Sequence, residues 1–282
     1  MPDDADGSET RRCYLSDTPL AVRRTGSGSA LALVRGVSAS FAECVTGASP
    51  DPPLSAKVAA EQHAHYVAAL EQGGYEVVEV PVDDDRPDSS FIEDTAVVIG
   101  TRVLITRPGH PSRRDEVGPV ADALGGRFPL HRVREPATID GGDVLKMGSS
   151  LFVGLSDRTN EEGIRAVTAI AEPQGLSVTS VPVRSVLHLK SGLSALDEST
   201  LLWHRDAGDR DVLDGFDVVE VSGADPEAAN VVRLADGRIL VGTDHPETAS
   251  LVAGRGFGVV ITDVSEFARA DGGLTCLSIR IR

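Results

Sequence analysis

Sulfur is scarce in this chain of 282 residues, which holds three cysteines and two methionines. Cys13, Cys44 and Cys276 are too few and too scattered for a disulfide framework or a zinc site, and they leave room only for a single reactive thiol. Basic residues are also in deficit, with 27 Lys and Arg against 43 Asp and Glu and a formal net charge of -16. Such a field repels nucleic acid and anionic membranes and attracts a small cation. No apolar run approaches the roughly 18 residues of a membrane span, and the N-terminus is polar and acidic where a secretory signal is basic and then apolar. A cytoplasmic protein is expected. There is no Gly-x-Ser-x-Gly elbow and no P-loop, and Gly141-Gly142 lacks the third glycine and following helix of a dinucleotide fingerprint. What remains, 41% hydrophobic and 25% charged residues, is an ordinary globular composition with enough chain for one large domain or two smaller ones.

Residues 1–25 are expected to form a disordered acidic tail, and 26–282 one domain. A short strand at Leu31–Val34 leads into a Ser, Gly and Pro rich loop reaching Leu54. A helix opened by Ser55 and closed at Gly73-Gly74 follows. His63 and His65 on that helix are two residues apart and face different sides, so they are read as surface histidines and not as paired metal ligands. From there one pattern recurs about every 45 residues. Ala96–Ile99 turns at Gly100-Thr101 into Val103–Thr106, Val144–Met147 turns at Gly148-Ser149 into Leu151–Gly154, and Val231–Leu234 turns at Asp236-Gly237 into Ile239–Gly242. A looser copy joins His188-Leu189-Lys190 to Leu201-Leu202-Trp203. Each hairpin precedes a helical stretch and then an apolar strand. Self-similarity at such a period marks one supersecondary unit repeated. The strand beginning at Cys276 has no partner downstream and that at Leu31 none upstream; pairing them closes five units into a ring, an α/β propeller with helices outside. The competing arrangement is a two-domain split near residue 160, through which the repeat runs without a break.

One polar residue stands at each hairpin entrance: Asp94, Asp140, His188, Asn230 and Cys276. Taken singly, these read as turn carboxylates, a satisfied core histidine, a cap and a small buried thiol. In a ring of like units, equivalent positions point to one centre, and a thiol, an imidazole and a carboxylate then form a nucleophile, base and orienter. Glu93 and Asp94 are adjacent acids in apolar surroundings, with Asp88 close by, a set suited to a buried guanidinium. Arg113 and Arg158, each in a polar loop after a hairpin, are either solvated or clamp a carboxylate. A ligand with a guanidinium at one end and a carboxylate at the other satisfies both groups.

These stretches resemble the dimethylarginine dimethylaminohydrolase family of the pentein superfamily. The matching motifs are Phe91-Ile92-Glu93-Asp94, Pro111-Ser112-Arg113-Arg114, Ile139-Asp140-Gly141-Gly142-Asp143, Arg158-Thr159-Asn160, His188-Leu189-Lys190-Ser191 and Asp271-Gly272-Gly273-Leu274-Thr275-Cys276. The resemblance implies a pentein fold and hydrolysis of Nω-methylated arginine to citrulline and an amine through a covalent intermediate on Cys276. His188 is implied as the acid and base, with Asp140 holding it. Glu93, Asp94 and Asp88 would hold the guanidinium end, Arg113 and Arg158 the carboxylate, and a backbone carbonyl at Ala270 the amino group. Residues 37–54 would form the lid. The implied partner is a small guanidinium amino acid, without metal or organic cofactor. Free arginine as substrate, amidino transfer to an amine, and arginine binding without turnover are the alternatives.

Overall fold

The strand Leu31–Arg35 sits between two strands from opposite ends of the chain. It pairs antiparallel with Ile279–Ile281, Leu33 opposite Ile279, and parallel with Glu76–Val80. The computed structural model, which describes residues 15–17 and 30–282, repeats this arrangement five times. Ala96–Ile99, Arg102–Ile105 and Leu130–Val133 form the next sheet, and Val144–Met147, Ser150–Leu155 and Ser177–Pro182 the one after. Leu193–Ala195, Thr200–Trp203 and Asp217–Glu220 follow, then Val232–Arg233, Ile239–Gly242 and Val259–Thr262. Every sheet contains an antiparallel pair with a parallel strand beside it, and the inner strands of the five pairs line a common axis. The fold is a five-unit α/β propeller closed by its C-terminal strand.

The core falls into five clusters, most of them covered by a helix. Ser55 caps the helix Ala56–Gln72 by accepting the Val58 N–H, and Tyr66 and Leu70 from that helix pack with Leu234 and Leu240 of the fourth hairpin. Gly73 ends it where a Cβ would lie 2.8 Å from the Leu234 side chain, so the close approach of helix end and hairpin needs glycine. Val167 and Ile170 of the helix Glu161–Ala171 likewise meet Val97, Leu104 and Leu151. Truncating such a residue to alanine typically costs about 2–5 kcal/mol, because the surrounding elements relax only partly.

Four local expectations are revised. Leu15–Asp17, inside the segment read as a tail, pairs antiparallel with Leu130–Val133 and covers the open edge of that sheet; the rest of 1–25 lies outside the described residues. The third hairpin begins at Leu193 and not at His188, since Leu189–Ser191 form a tight 3-10 turn. Its unit carries no α-helix after the hairpin: 204–216, with four Asp and two Gly, forms two 3-10 turns because those residues are poor helix formers. His63 is buried against Tyr66 and Phe267, on the same helix face as Ala59 and Leu70, and burial lowers its pKa to about 4. No helix among the described residues is long and apolar enough to cross a membrane.

Candidate active site

In all five units a 3-10 turn feeds the first strand of the hairpin, and the polar residue singled out at each entrance lies on or beside it. A tight turn exposes side chains and N–H groups at the strand end, so five repeated turns gather chemistry from distant parts of the chain. His188 Nε2 is 3.0 Å from Asp140 Oδ2 and 4.0 Å from Asp94 Oδ1. Gly142 permits this: a Cβ there would come within 2.7 Å of His188 Nδ1 and 2.9 Å of Asp94 Oδ1. Its N–H instead donates to Asp94 Oδ1 at 2.8 Å, and the Gly109 N–H donates to Asp140 Oδ1 at 2.8 Å. Asp143, fully buried, accepts from Ser156 Oγ, Thr159 Oγ1 and the Leu189 N–H, which fastens the histidine turn to the preceding unit.

Electrostatics separate these groups into charged states. Burial opposes an imidazolium at His188, but Asp94, the Asp140 hydrogen bond and Asp143 outweigh it and raise its pKa to about 9. Burial also opposes charge on Asp94, yet His188, Arg113 and the Gly142 N–H hold its pKa down to about 2. At neutral pH the pair is therefore imidazolium and carboxylate. Cys276 is partly exposed, and its Sγ accepts a 3.5 Å hydrogen bond from the Gly273 N–H. Burial raises its pKa strongly, and Glu93, Asp94 and Glu227 raise it further, so the resting group is a neutral thiol.

Cys276, His188, Asp94, Asp88, Arg113, Arg158 and Ala270 line one pocket of about 30 Å³. Asp140 stands behind His188, without exposed surface. Val45, from the lid segment, closes the pocket and donates its N–H to Asp88 at 3.1 Å, while the Gly47 N–H donates to Asp271 at 2.5 Å. Asp88 thus holds the backbone at Val45; burial raises its pKa, with Arg113 acting against that. Asp271 makes its contact from the left-handed region, φ 56°.

Arg113 is placed differently from its expected exposure to a substrate carboxylate. It is buried, with Nη1 donating to Asp94 at 2.6 Å, Nη2 to Glu116 at 2.8 Å and to the Phe91 carbonyl at 2.8 Å. Arg158, by contrast, is bound only loosely, its Nη1 3.9 Å from Asp140. Glu93 turns away from the pocket toward the propeller axis, where its Oε1 receives Lys190 Nζ at 2.6 Å and Arg280 Nη2 at 3.4 Å. Its Oε2 is buried without a hydrogen-bond partner. Asp94, Asp140 and His188 present three ligand atoms within 4.8 Å of one another. Backbone N–H donors and the two arginines already serve those oxygens, an arrangement that favours an organic cation over a bare metal ion.

Glu227 was not singled out from the sequence. Its carboxylate lies where a Cβ on Gly273 would come within 2.5 Å, and burial and Asp225 push its pKa up to about 8. The available signal was its place three residues before Asn230, on the turn feeding the fourth of the repeated entrances.

Residues 79–213 match the family model for arginine deiminase. The N(G),N(G)-dimethylarginine dimethylaminohydrolase of Streptomyces coelicolor is 41% identical over 254 residues, covering 89% of this chain and 96% of that one. The chain belongs to the dimethylarginine dimethylaminohydrolase family. Two solved structures of such hydrolases superpose with a TM-score of 0.85 at 30% identity, each covering 90% of this chain and 100% of its own. One is a cysteine-to-serine mutant from Pseudomonas aeruginosa complexed with citrulline, the other a histidine-to-glycine variant as an adduct with S-methyl-L-thiocitrulline.

Proposed function

We propose that this protein hydrolyses Nω-methylated arginine to citrulline with release of methylamine or dimethylamine, using Cys276 as nucleophile. The observation that carries the reading is a neutral thiol sharing one small acidic pocket with an imidazolium, in a family of which one solved member is complexed with citrulline. The guanidinium enters beside Asp94, with Glu93 behind, and its charge offsets the acids that hold the Cys276 proton. The thiol then ionises, its proton leaving to solvent through the partly exposed side of the pocket. The thiolate attacks the guanidinium carbon, and His188 protonates the departing amine, leaving a thiouronium on Cys276. The now neutral His188 takes a proton from water, the hydroxide adds to the same carbon, and the thiolate leaves as citrulline forms.

Asp140 keeps the imidazole oriented throughout. Arg158 receives the substrate carboxylate, while Arg113 fixes Asp94 and reaches the carboxylate only by exchanging that bond. Ala270 supports the amino group at the pocket edge. The test is kcat/KM for Nω,Nω-dimethylarginine, Nω-methylarginine and arginine with the released amine identified. Dimethylamine should dominate the product amines at equal substrate concentrations. Citrulline formation from arginine as fast as from dimethylarginine would overturn the substrate assignment, since a methyl group in a fitted pocket is worth about 1–3 kcal/mol.

A further inference from the structure

A cavity larger than the catalytic pocket lies on the propeller axis. It has a volume of about 350 Å³ and follows the propeller axis from Glu93 and Thr275, beside the catalytic turns, to the hairpin turns at Gly100 and Gly148. Both of those glycines are exposed, so the mouth opens at the hairpin end, away from Cys276. Lys146, Arg233, Arg280 and Arg282, from three of the inner strands and their ends, line the cavity. Lys190 adds a fifth cation at the inner end, and only Glu93 and Glu198 stand against them in the lining.

Those two acids do not use up the positive charge. Glu93 pairs with Lys190 and Arg280, and Glu198, a largely exposed side chain at the mouth, lies 3.3 Å from Arg233. Lys146 is exposed. Burial lowers the pKa of Arg282; the attraction of Tyr75 and Glu198 acts against that, while Arg280 and Arg233 repel its charge. Apolar walls from Val98, Ala195 and Ile281 concentrate the field of these cations. Guanidinium and ammonium groups converging from separate strands suit an acceptor with several oxygens and more than one charge.

We infer that the axial funnel is a binding site for a small multivalent oxyanion, of the phosphate or polycarboxylate class, held by Lys146, Arg233 and Arg282. The catalytic reading does not depend on it. The test is isothermal titration calorimetry of the full chain at low ionic strength with inorganic phosphate in one arm and citrate in the other, against sodium chloride at matched ionic strength. Saturable binding of one anion per chain in either arm is expected, and the tighter arm identifies the class. Affinity should fall about tenfold or more in Lys146→Gln and in Arg233→Gln, each losing a charge-assisted contact, and be unchanged in Arg158→Gln. Thermal melts of each variant confirm that it is folded. The inference is overturned if neither anion binds more tightly than chloride, or if Arg158→Gln removes binding while Lys146→Gln does not, which would place the anion in the catalytic pocket.

Discussion

Asn230 and Thr275 hold each other by two hydrogen bonds, the Thr275 N–H to Asn230 Oδ1 at 3.0 Å and Asn230 Nδ2 to Thr275 Oγ1 at 3.2 Å. Asn230 Nδ2 also reaches the Lys190 carbonyl at 3.1 Å. One buried amide therefore ties the turn that carries Cys276 to the turn that follows His188. Asn230→Ala should cost about 1–3 kcal/mol of stability, because it leaves buried backbone groups without partners. It should also lower kcat more than it changes KM, as misplacement of a nucleophile does. Urea melts and steady-state kinetics check both; an unchanged kcat would show that the tie does not align the thiol.

Gly142→Ala separates close packing from chemistry. The new methyl would meet His188 Nδ1 and Cγ and Asp94 Oδ1, all closer than 3.0 Å. The imidazole must swing away from Asp140, and kcat is expected to fall by about 100-fold or more, within the range that general acid–base catalysis contributes. A crystal structure of the variant with His188 still 3.0 Å from Asp140 would contradict this.

The raised pKa of His188 makes a signed prediction for stability. Its folded pKa of about 9 exceeds the ordinary 6.5, so its contribution is fully present below about 6.5 and is lost as pH rises toward 9. The stability difference between wild type and His188→Gln should therefore shrink across that window. Activity should fall over the alkaline end of it, as the imidazolium that protonates the amine disappears. A stability difference independent of pH from 6 to 9.5 would argue that His188 is neutral in the fold.

Glu227 runs the other way. Its folded pKa of about 8 lies above the ordinary 4.5, so the fold retains a proton that the unfolded chain releases, and stability declines as pH rises from 4.5 to 8. Glu227→Gln removes that decline and should gain up to about 5 kcal/mol over wild type at pH 8 relative to pH 4.5. Its pH–rate profile should also shift to lower pH, because one acid that holds the Cys276 proton is gone. Equal pH dependence of melting in the two proteins would rule out a buried, protonated Glu227.

Arg158→Gln tests the carboxylate contact. Loss of a charge-assisted hydrogen bond of about 1.5–3 kcal/mol should raise KM roughly 10- to 100-fold and leave kcat within a few-fold. The same loss in kcat and not in KM would move Arg158 from binding into the chemical step.

The ring and its centre were legible because both depend on periodicity. Hairpin strands alternate and turn at glycines such as Gly100, Gly148 and Gly237, each with positive φ in the structure, so the repeat could be counted from residue types alone. The entrance residues share a register, which brought Asp140, His188 and Cys276 together before any distance was known. What could not be read was how polar groups divide among competing partners. Arg113 has a suitable loop and spacing for a substrate carboxylate, yet Asp94, Glu116 and the Phe91 carbonyl converge on it only after folding. Glu93 and Asp94 are neighbours in sequence but leave their turn in opposite directions, one toward the axis and one toward the pocket. Glu227 is ordinary in sequence, and its elevated pKa arises from burial and neighbours contributed by other units.

The central claim is that Cys276 forms the bond to the guanidinium carbon. Wild type and Cys276→Ser can be mixed with Nω,Nω-dimethylarginine, quenched in acid at early times, and analysed by peptide mass spectrometry with the released amine measured in parallel. Wild type should carry a thiouronium mass on the peptide containing Cys276, with dimethylamine released in step, and Cys276→Ser should show neither while still binding substrate. Turnover by Cys276→Ser at a wild-type rate, or an adduct on Cys13 or Cys44 instead, would contradict the assignment.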